Sequence, residues 1–329
     1  MPADSASAQS ASLSITPKKN YVIEPGKTVK DKLTIRNLDG EKQLDLTLRV
    51  VDFTFRDDGG TPKLMLDQNA QPTTWSLKPF LNLPKTVSIP AKGSKTVDMS
   101  LSIPAKHGAG SYYSAIVYSS GTPEEGGNVG LNASGVTLAF VNIPGAVKED
   151  LKVEKFGAYV DSTEGQSAGY TSLTMSEPVR LAYTLKNNGN VTEAPVGTIT
   201  LKSMFGTEYK IEEVNPSASL ALIGQSRTFS ACIKLSAQEV DFNGTKSEAK
   251  NCTSPGLWPG YYSASLNLFY GQNGNTTKEL ASTAGFWYLP LWFVIIVLVL
   301  LAAVGIGIWI VVRKVRGHVS HSKSKRTRR

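Results

Sequence analysis

The chain has 329 residues with 35 basic and 27 acidic side chains, for a formal net charge of +8, and it contains only three histidines and two cysteines. Residues 313–329 hold eight of the bases and no acid, so taking those eight from 35 leaves 27 against 27 and a neutral body. That placement excludes a nucleic-acid surface, and a single cysteine pair with only His107 ahead of residue 313 excludes a Cys- or His-based metal cluster and implies no cofactor.

Residues 1–12 are small and polar, like the stretch just after a signal cleavage site, which sets the expectation that an export signal has been removed. From there the chain reads as strands. Residues 29–38 place Val29, Asp31, Leu33 and Ile35 on one face, and residues 44–53 do the same with Leu44, Leu46, Leu48 and Val50. Period two of this kind predicts half-buried strands. It recurs at 96–103, 112–118, 136–143, 179–186, 196–202, 226–235 and 261–270, with turn pairs such as Pro25-Gly26, Asp39-Gly40 and Asn188-Gly189 between. No amphipathic helical window competes. The expected fold is all-β: two tandem immunoglobulin-like β-sandwich domains at 13–146 and 147–285, followed by one transmembrane α-helix.

Internal repetition supports two copies. Thr34-Ile35-Arg36-Asn37 matches Thr184-Leu185-Lys186-Asn187 at an offset of 150, and Tyr112-Tyr113-Ser114-Ala115 matches Tyr261-Tyr262-Ser263-Ala264 at 149. The segment from Gly93 to Val97 resembles the one ending at Phe229, but at an offset of only about 132. Each copy therefore carries its own insertion, within residues 52–85 in the first and 236–256 in the second.

The first insertion mixes aromatic and charged residues. Arg56, Asp57, Asp58, Trp75 and Lys78 are its candidate binding residues. The competing readings stay open: Trp75 and Phe80 pack the end of the sandwich, and Asp57-Asp58-Gly59-Gly60 is simply a hairpin turn. The second insertion contains Cys252, while Cys232 sits on a strand whose inward positions are Phe229, Ala231, Ile233 and Leu235. Cys232 then points outward, and a Cys232–Cys252 disulfide would staple a surface loop, with free thiols as the alternative.

Leu291 to Val312 runs 22 residues without a charge, about 33 Å of helix at 1.5 Å per residue, enough to cross a bilayer. Phe286, Trp287, Tyr288 and Trp292 at its start and Trp309 near its end suit the two headgroup layers, so the membrane segment is drawn as 286–312. The basic tail, 313–329, predicts a cytoplasmic C-terminus and an extracellular body in the cell membrane. The small pair Ala303 and Gly307 is a weak packing motif. Leu289-Pro290-Leu291-Trp292 lacks the Thr-Gly that sortase cleaves, so the helix is expected to persist.

Catalysis has little support. A Ser-His-Asp arrangement would have to use His107, which lies in a turn, and the acidic residues are scattered, so no catalytic residue is assigned and no enzyme is expected. Ile15-Thr16-Pro17, Pro25-Gly26, Thr34-Ile35-Arg36-Asn37, Gly110-Ser111-Tyr112-Tyr113, Leu185-Lys186-Asn187-Asn188-Gly189-Asn190 and Pro259-Gly260-Tyr261-Tyr262, ahead of a helix and basic tail, resemble the WxL-interacting protein family of bacterial surface proteins. The resemblance implies an anchored, non-enzymatic surface protein whose first domain binds peptidoglycan and whose second engages another surface protein in adhesion. The alternative expectation is a tethered assembly factor, like a pilus chaperone, that pairs a client strand with an exposed sheet edge.

Overall fold

A computed structural model describes residues 13–56, 60–67, 71–120, 133–160, 168–242, 245–271 and 276–324. The first sandwich contains β1 (Leu13–Ser14), β2 (Lys18–Val22), β3 (Thr28–Asn37), β4 (Leu44–Phe55), β5 (Pro62–Met65), β6 (Leu81–Asn82), β7 (Thr86–Ile89), β8 (Ser94–Ser102), β9 (Gly110–Ser120) and β10 (Ala133–Ile143). One of its sheets runs β1-β3-β8-β6 and the other β2-β10-β9-β4-β5, with β7 also on β4. The second contains β11 (Leu151–Val160), β12 (Gly169–Thr171), β13 (Leu173–Thr174), β14 (Arg180–Asn187), β15 (Val196–Ser203), β16 (Glu208–Ile211) and β17 (Ser226–Cys232). The hairpin β18 (Leu235–Phe242) and β19 (Thr245–Cys252), then β20 (Gly260–Tyr270) and β21 (Lys278–Tyr288), complete it. Its sheets run β12-β11-β14-β17 and β13-β21-β20-β15-β16, and the hairpin forms a separate two-stranded sheet. The all-β, two-sandwich expectation holds.

Matching registers show why the repeats sit at different offsets. Arg36 pairs with Ser94 across β3 and β8, and Lys186 pairs with Ser226 across β14 and β17. In both copies a buried asparagine ends the first strand of that pair and ties the sheets together. Asn37 donates from Nδ2 to the carbonyls of Lys42, Ile89 and Pro90, and its Oδ1 accepts from the Asp39 N–H. Asn187 donates to Val191 and Ala221 and accepts from Gly189. Four hydrogen bonds at the Asn37 amide and three at that of Asn187 favour Asn in both copies, because its buried donors and acceptor must be satisfied. In each copy a short early strand also joins the opposite sheet: β2 pairs in parallel with β10, and β13 with β21.

Each sandwich has its own core. Ile35, Leu46, Leu48, Leu101, Ile116 and Val141 anchor the first, and Tyr183, Leu185, Leu201, Tyr262, Leu266 and Phe286 anchor the second. Phe286 and Tyr288 are therefore core residues on β21, and of the aromatics expected at the membrane entrance only Trp287 and Trp292 are exposed. The sandwich takes residues 286–288 that the drawn membrane segment 286–312 included. After Leu289 and Pro290, α1 (Leu291–Ser324) begins, and it continues helically past Arg313 into the basic segment. Its stretch Leu291–Lys314 is apolar and unburied, one candidate membrane span.

Candidate functional site

The first insertion is built on β4. Up to Leu48 that strand buries alternate side chains, but Val51, Asp52 and Phe53 are all buried. The reason is that both faces of the sheet are covered here. Leu222 of the second domain lies against Val51, Phe53, Tyr113, Ala115, Val117 and Phe140, with Leu220 and Ile223 beside it. Phe53 stands edge-on to Tyr113 and Phe140, with centroids 5.3 and 5.9 Å apart.

Polar contacts fix the same junction. The Ser111 N–H donates to the Asn190 carbonyl, the Asn190 Nδ2 donates to the Ala109 carbonyl, and the Thr192 N–H donates to the Ser111 hydroxyl. Arg227 places its guanidinium 4.6 Å from the Phe55 ring and 5.2 Å from that of Phe229, and donates to the Leu220 carbonyl at 2.7 Å. Beside it opens a cleft of about 360 Å³ lined by Lys18, Asn20, Phe140, Glu193 and Leu220. Lys18 lies over Phe140, and burial, aided by the Arg227 charge, lowers its pKa below the ordinary lysine value.

Of the five candidate binding residues, the structure describes Arg56, Trp75 and Lys78 and does not bring these three together. Arg56 is exposed in the turn after β4, where its N–H donates to Thr61. Gly60, with φ of 81°, comes so close to Arg227 that an added Cβ would sit 2.6 Å from the guanidinium. Asp57 and Asp58 lie outside the described residues. Trp75 is half-buried, stacked on Tyr113 at 5.8 Å in the interdomain cluster, and its carbonyl accepts from the Tyr113 N–H, so the ring packs. Lys78 is half-buried, and no hydrogen bond, ion pair or ring contact joins it to Arg56 or Trp75 among the described residues.

The organising group of the insertion is Asp52, which the sequence pattern does not reveal. Its carboxylate is buried and accepts from the Thr73 N–H and hydroxyl and from the hydroxyls of Ser76 and Ser114, at 2.6–3.2 Å. Ser114 Oγ in turn accepts from the Leu77 N–H. His107 sits between Phe80 and Tyr112, with ring centroids 4.6 and 4.7 Å away, an aromatic cluster in which its Nε2 has no hydrogen-bond partner among the described residues.

In the second domain Cys232 and Cys252 form the disulfide, on the outer face as expected. The insertion it closes is the hairpin β18–β19, with Leu235 opposite Cys252. The sheet edge preceding it is open. Asn187 N donates to Gln225 O and Ile233 N to Val179 O, so odd-numbered residues of β17 turn their backbone groups toward β14. Ser226, Thr228, Ser230 and Cys232 turn theirs the other way, where no described strand pairs with them. The equivalent edge in the first copy, on β8, is partly covered because β6 pairs with Ser100 and Leu101.

No family model matches the chain, and no curated protein matches it. Solved structures of similar shape include the Escherichia coli chaperone DraB (12% identity, 83% of this chain and 98% of that one, TM-score 0.33). The Pseudomonas aeruginosa CupB2 chaperone is similar at 8% identity, covering 82% and 97% at TM-score 0.30. A chaperone–tip adhesin complex of CFA/I fimbriae matches at 10% identity, covering 85% and 100% at TM-score 0.36. Likenesses this weak leave partner and role to be decided by the residues of this chain.

Proposed function

We propose that the chain is a non-enzymatic, single-pass membrane protein whose body lies outside the cell and binds a protein partner by adding the partner's strand to the outer edge of β17. The observation that carries this reading is the edge itself. Seven residues long, it presents the N–H and C=O groups of Ser226, Thr228, Ser230 and Cys232 beside small side chains. Sheet edges are usually guarded by an outward charge, a proline or a bulge. β17 has none of these, and its one charged side chain, Arg227, is buried. Main-chain hydrogen bonds would provide affinity, and alternate side-chain positions would provide selectivity. The disulfide beyond Cys232 holds the end of the edge in place.

The test is Ser230→Pro in the full chain, compared with Ser230→Ala. Proline removes the outward N–H and is tolerated on a free edge, so the domain stays folded. With site-specific crosslinking in intact cells, the expected result is a partner adduct that survives Ser230→Ala and disappears with Ser230→Pro. An adduct unaffected by proline removes the edge reading. Sedimentation of the full chain with insoluble peptidoglycan in the absence of any protein adduct would favour the wall-binding role that the WxL-interacting resemblance implies.

A further inference from the structure

We propose that the end of the second sandwich nearest α1 is a membrane-seating surface, inserting an apolar rim into the outer interfacial layer of the bilayer. The proposal rests on α1 being the membrane anchor. From Tyr288 to the start of α1 there are only Leu289 and Pro290, and neither is slack. The Leu289 N–H donates to the Thr174 carbonyl, holding the chain on the sheet, and Pro290 accepts from the Phe293 and Val294 N–H groups, starting the helix. The three Cα–Cα steps from Tyr288 to Leu291 reach at most about 10 Å. The sandwich end therefore cannot stand away from the hydrocarbon surface.

That end is where exposed apolar side chains collect. Phe205 and Trp258 are 71% and 72% exposed, and Met204, Leu173, Met175 and Trp287 are exposed beside them. Strand register brings them to one place. Gly260 lies opposite Tyr288, Tyr261 opposite Trp287, and Leu173 opposite Trp287. The Met204 N–H donates to the Tyr261 carbonyl, so the β15–β16 turn that carries Phe205 sits against the start of β20. Tyr261 and Trp287 rings meet at 5.3 Å. The carboxylate of Glu177 is not left facing the lipid, because it accepts from the Ser254 hydroxyl and the Leu257 N–H.

A bare rim of this kind in water would be an exposed patch without a partner. Here the tether supplies the partner. Trp and Phe on a rim beside a spanning helix favour the headgroup–acyl boundary, as interfacial aromatics do. The consequence is a fixed tilt for the ectodomain: seated at its base, it holds the β17 edge at a constant height above the membrane.

The experiment uses the full chain in phosphatidylethanolamine–phosphatidylglycerol vesicles containing a phospholipid with a diazirine near the ester end of one acyl chain. After irradiation, adducts are mapped by mass spectrometry. The expected result is labelling both within Leu291–Val312 and at residues 203–207 and 256–260, with residues 226–232 unlabelled. Labelled helix with an unlabelled rim overturns the seat and leaves the anchor standing. An unlabelled helix overturns the anchor and the seat with it. Equal labelling of residues 226–232 means the body lies flat, which also overturns the proposal. In a Phe205→Ser, Trp258→Ser variant, whose changed side chains are solvent-exposed, labelling of Met204 should be lost while helix labelling is kept. Undiminished labelling of Met204 contradicts the seat.

Discussion

Replacing Asp52 with alanine should loosen the first sandwich and leave the second intact. The carboxylate has four donors, and two of them, the Ser76 and Ser114 hydroxyls, are buried where water cannot substitute. Leaving a buried donor unpaired costs about 1–3 kcal/mol, and the Thr73 donors lie nearer solvent, so the whole loss should be about 3 kcal/mol. Ser114 links this loss to the Leu77 backbone, so the segment from Thr73 to Leu81 should detach with it. Hydrogen exchange of the full chain in lipid nanodiscs resolves the two domains. At 1.36 kcal/mol per decade, exchange through global opening of β4 and β9 should accelerate by about 100-fold or more, with β14 and β20 unchanged. Asp52→Asn, which keeps shape and one acceptor oxygen, should lose about half as much. An alanine variant whose β9 exchange stays within about threefold of the parent would refute the role given to Asp52, because an orphaned buried hydroxyl alone predicts more.

Three further predictions concern the other supports of the fold. Removing the Cys232–Cys252 disulfide as a double serine variant frees a loop of sequence separation 20 and should lower second-domain stability by about 3 kcal/mol, read as a drop in its urea midpoint. Leu222→Ala should cost about 2–4 kcal/mol by emptying the interdomain cluster, read as a lowered midpoint in calorimetry; an unshifted midpoint would contradict the junction described. Asp31 is pushed up by partial burial, but hydrogen bonds from Lys19, Tyr21 and the Lys32 N–H, with the Lys19 charge, outweigh this and pull it down to about 2. A depressed carboxylate stabilises the fold above its ordinary pKa near 4 and loses that contribution as pH falls from about 4 to about 2, so Asp31→Asn should flatten stability over that window in acid titration by circular dichroism.

Strand positions were legible because alternation is strong wherever one face of a sheet meets solvent. Val97, Met99 and Leu101 on β8 and Phe229 and Ala231 on β17 are buried as their period implies. β11 breaks its alternation at the register shift between Val153 and Lys155, and β21 fills inward positions with small residues, Ser282 and Ala284, so neither carries a clear pattern. The interdomain junction did leave a trace. In Tyr112 to Tyr118 apolar residues occupy both parities, the pattern of a strand covered on both faces, and the structure covers it with Leu222. Asp52 left none, since a buried acid is recognisable only once its donors, 21 to 62 residues away, have been folded around it.

Divergence between the two copies follows from their neighbours. Lys95 and Arg227 occupy equivalent register positions, opposite Ile35 and Leu185. Lys95 is exposed, whereas Arg227 is 8% exposed and spans from Phe229 in its own domain to Phe55 in the other. A planar guanidinium can stack on an aromatic ring while donating in its plane to the Leu220 carbonyl, which a lysine ammonium cannot do. The first insertion, with β5 and Gly60, supplies the surface that Arg227 grips, while the second insertion folds onto itself as a hairpin and leaves β17 open. One copy therefore used its extra residues to lock the domains together. The other kept an edge free, and locking the junction is what allows that free edge to be held in a fixed direction.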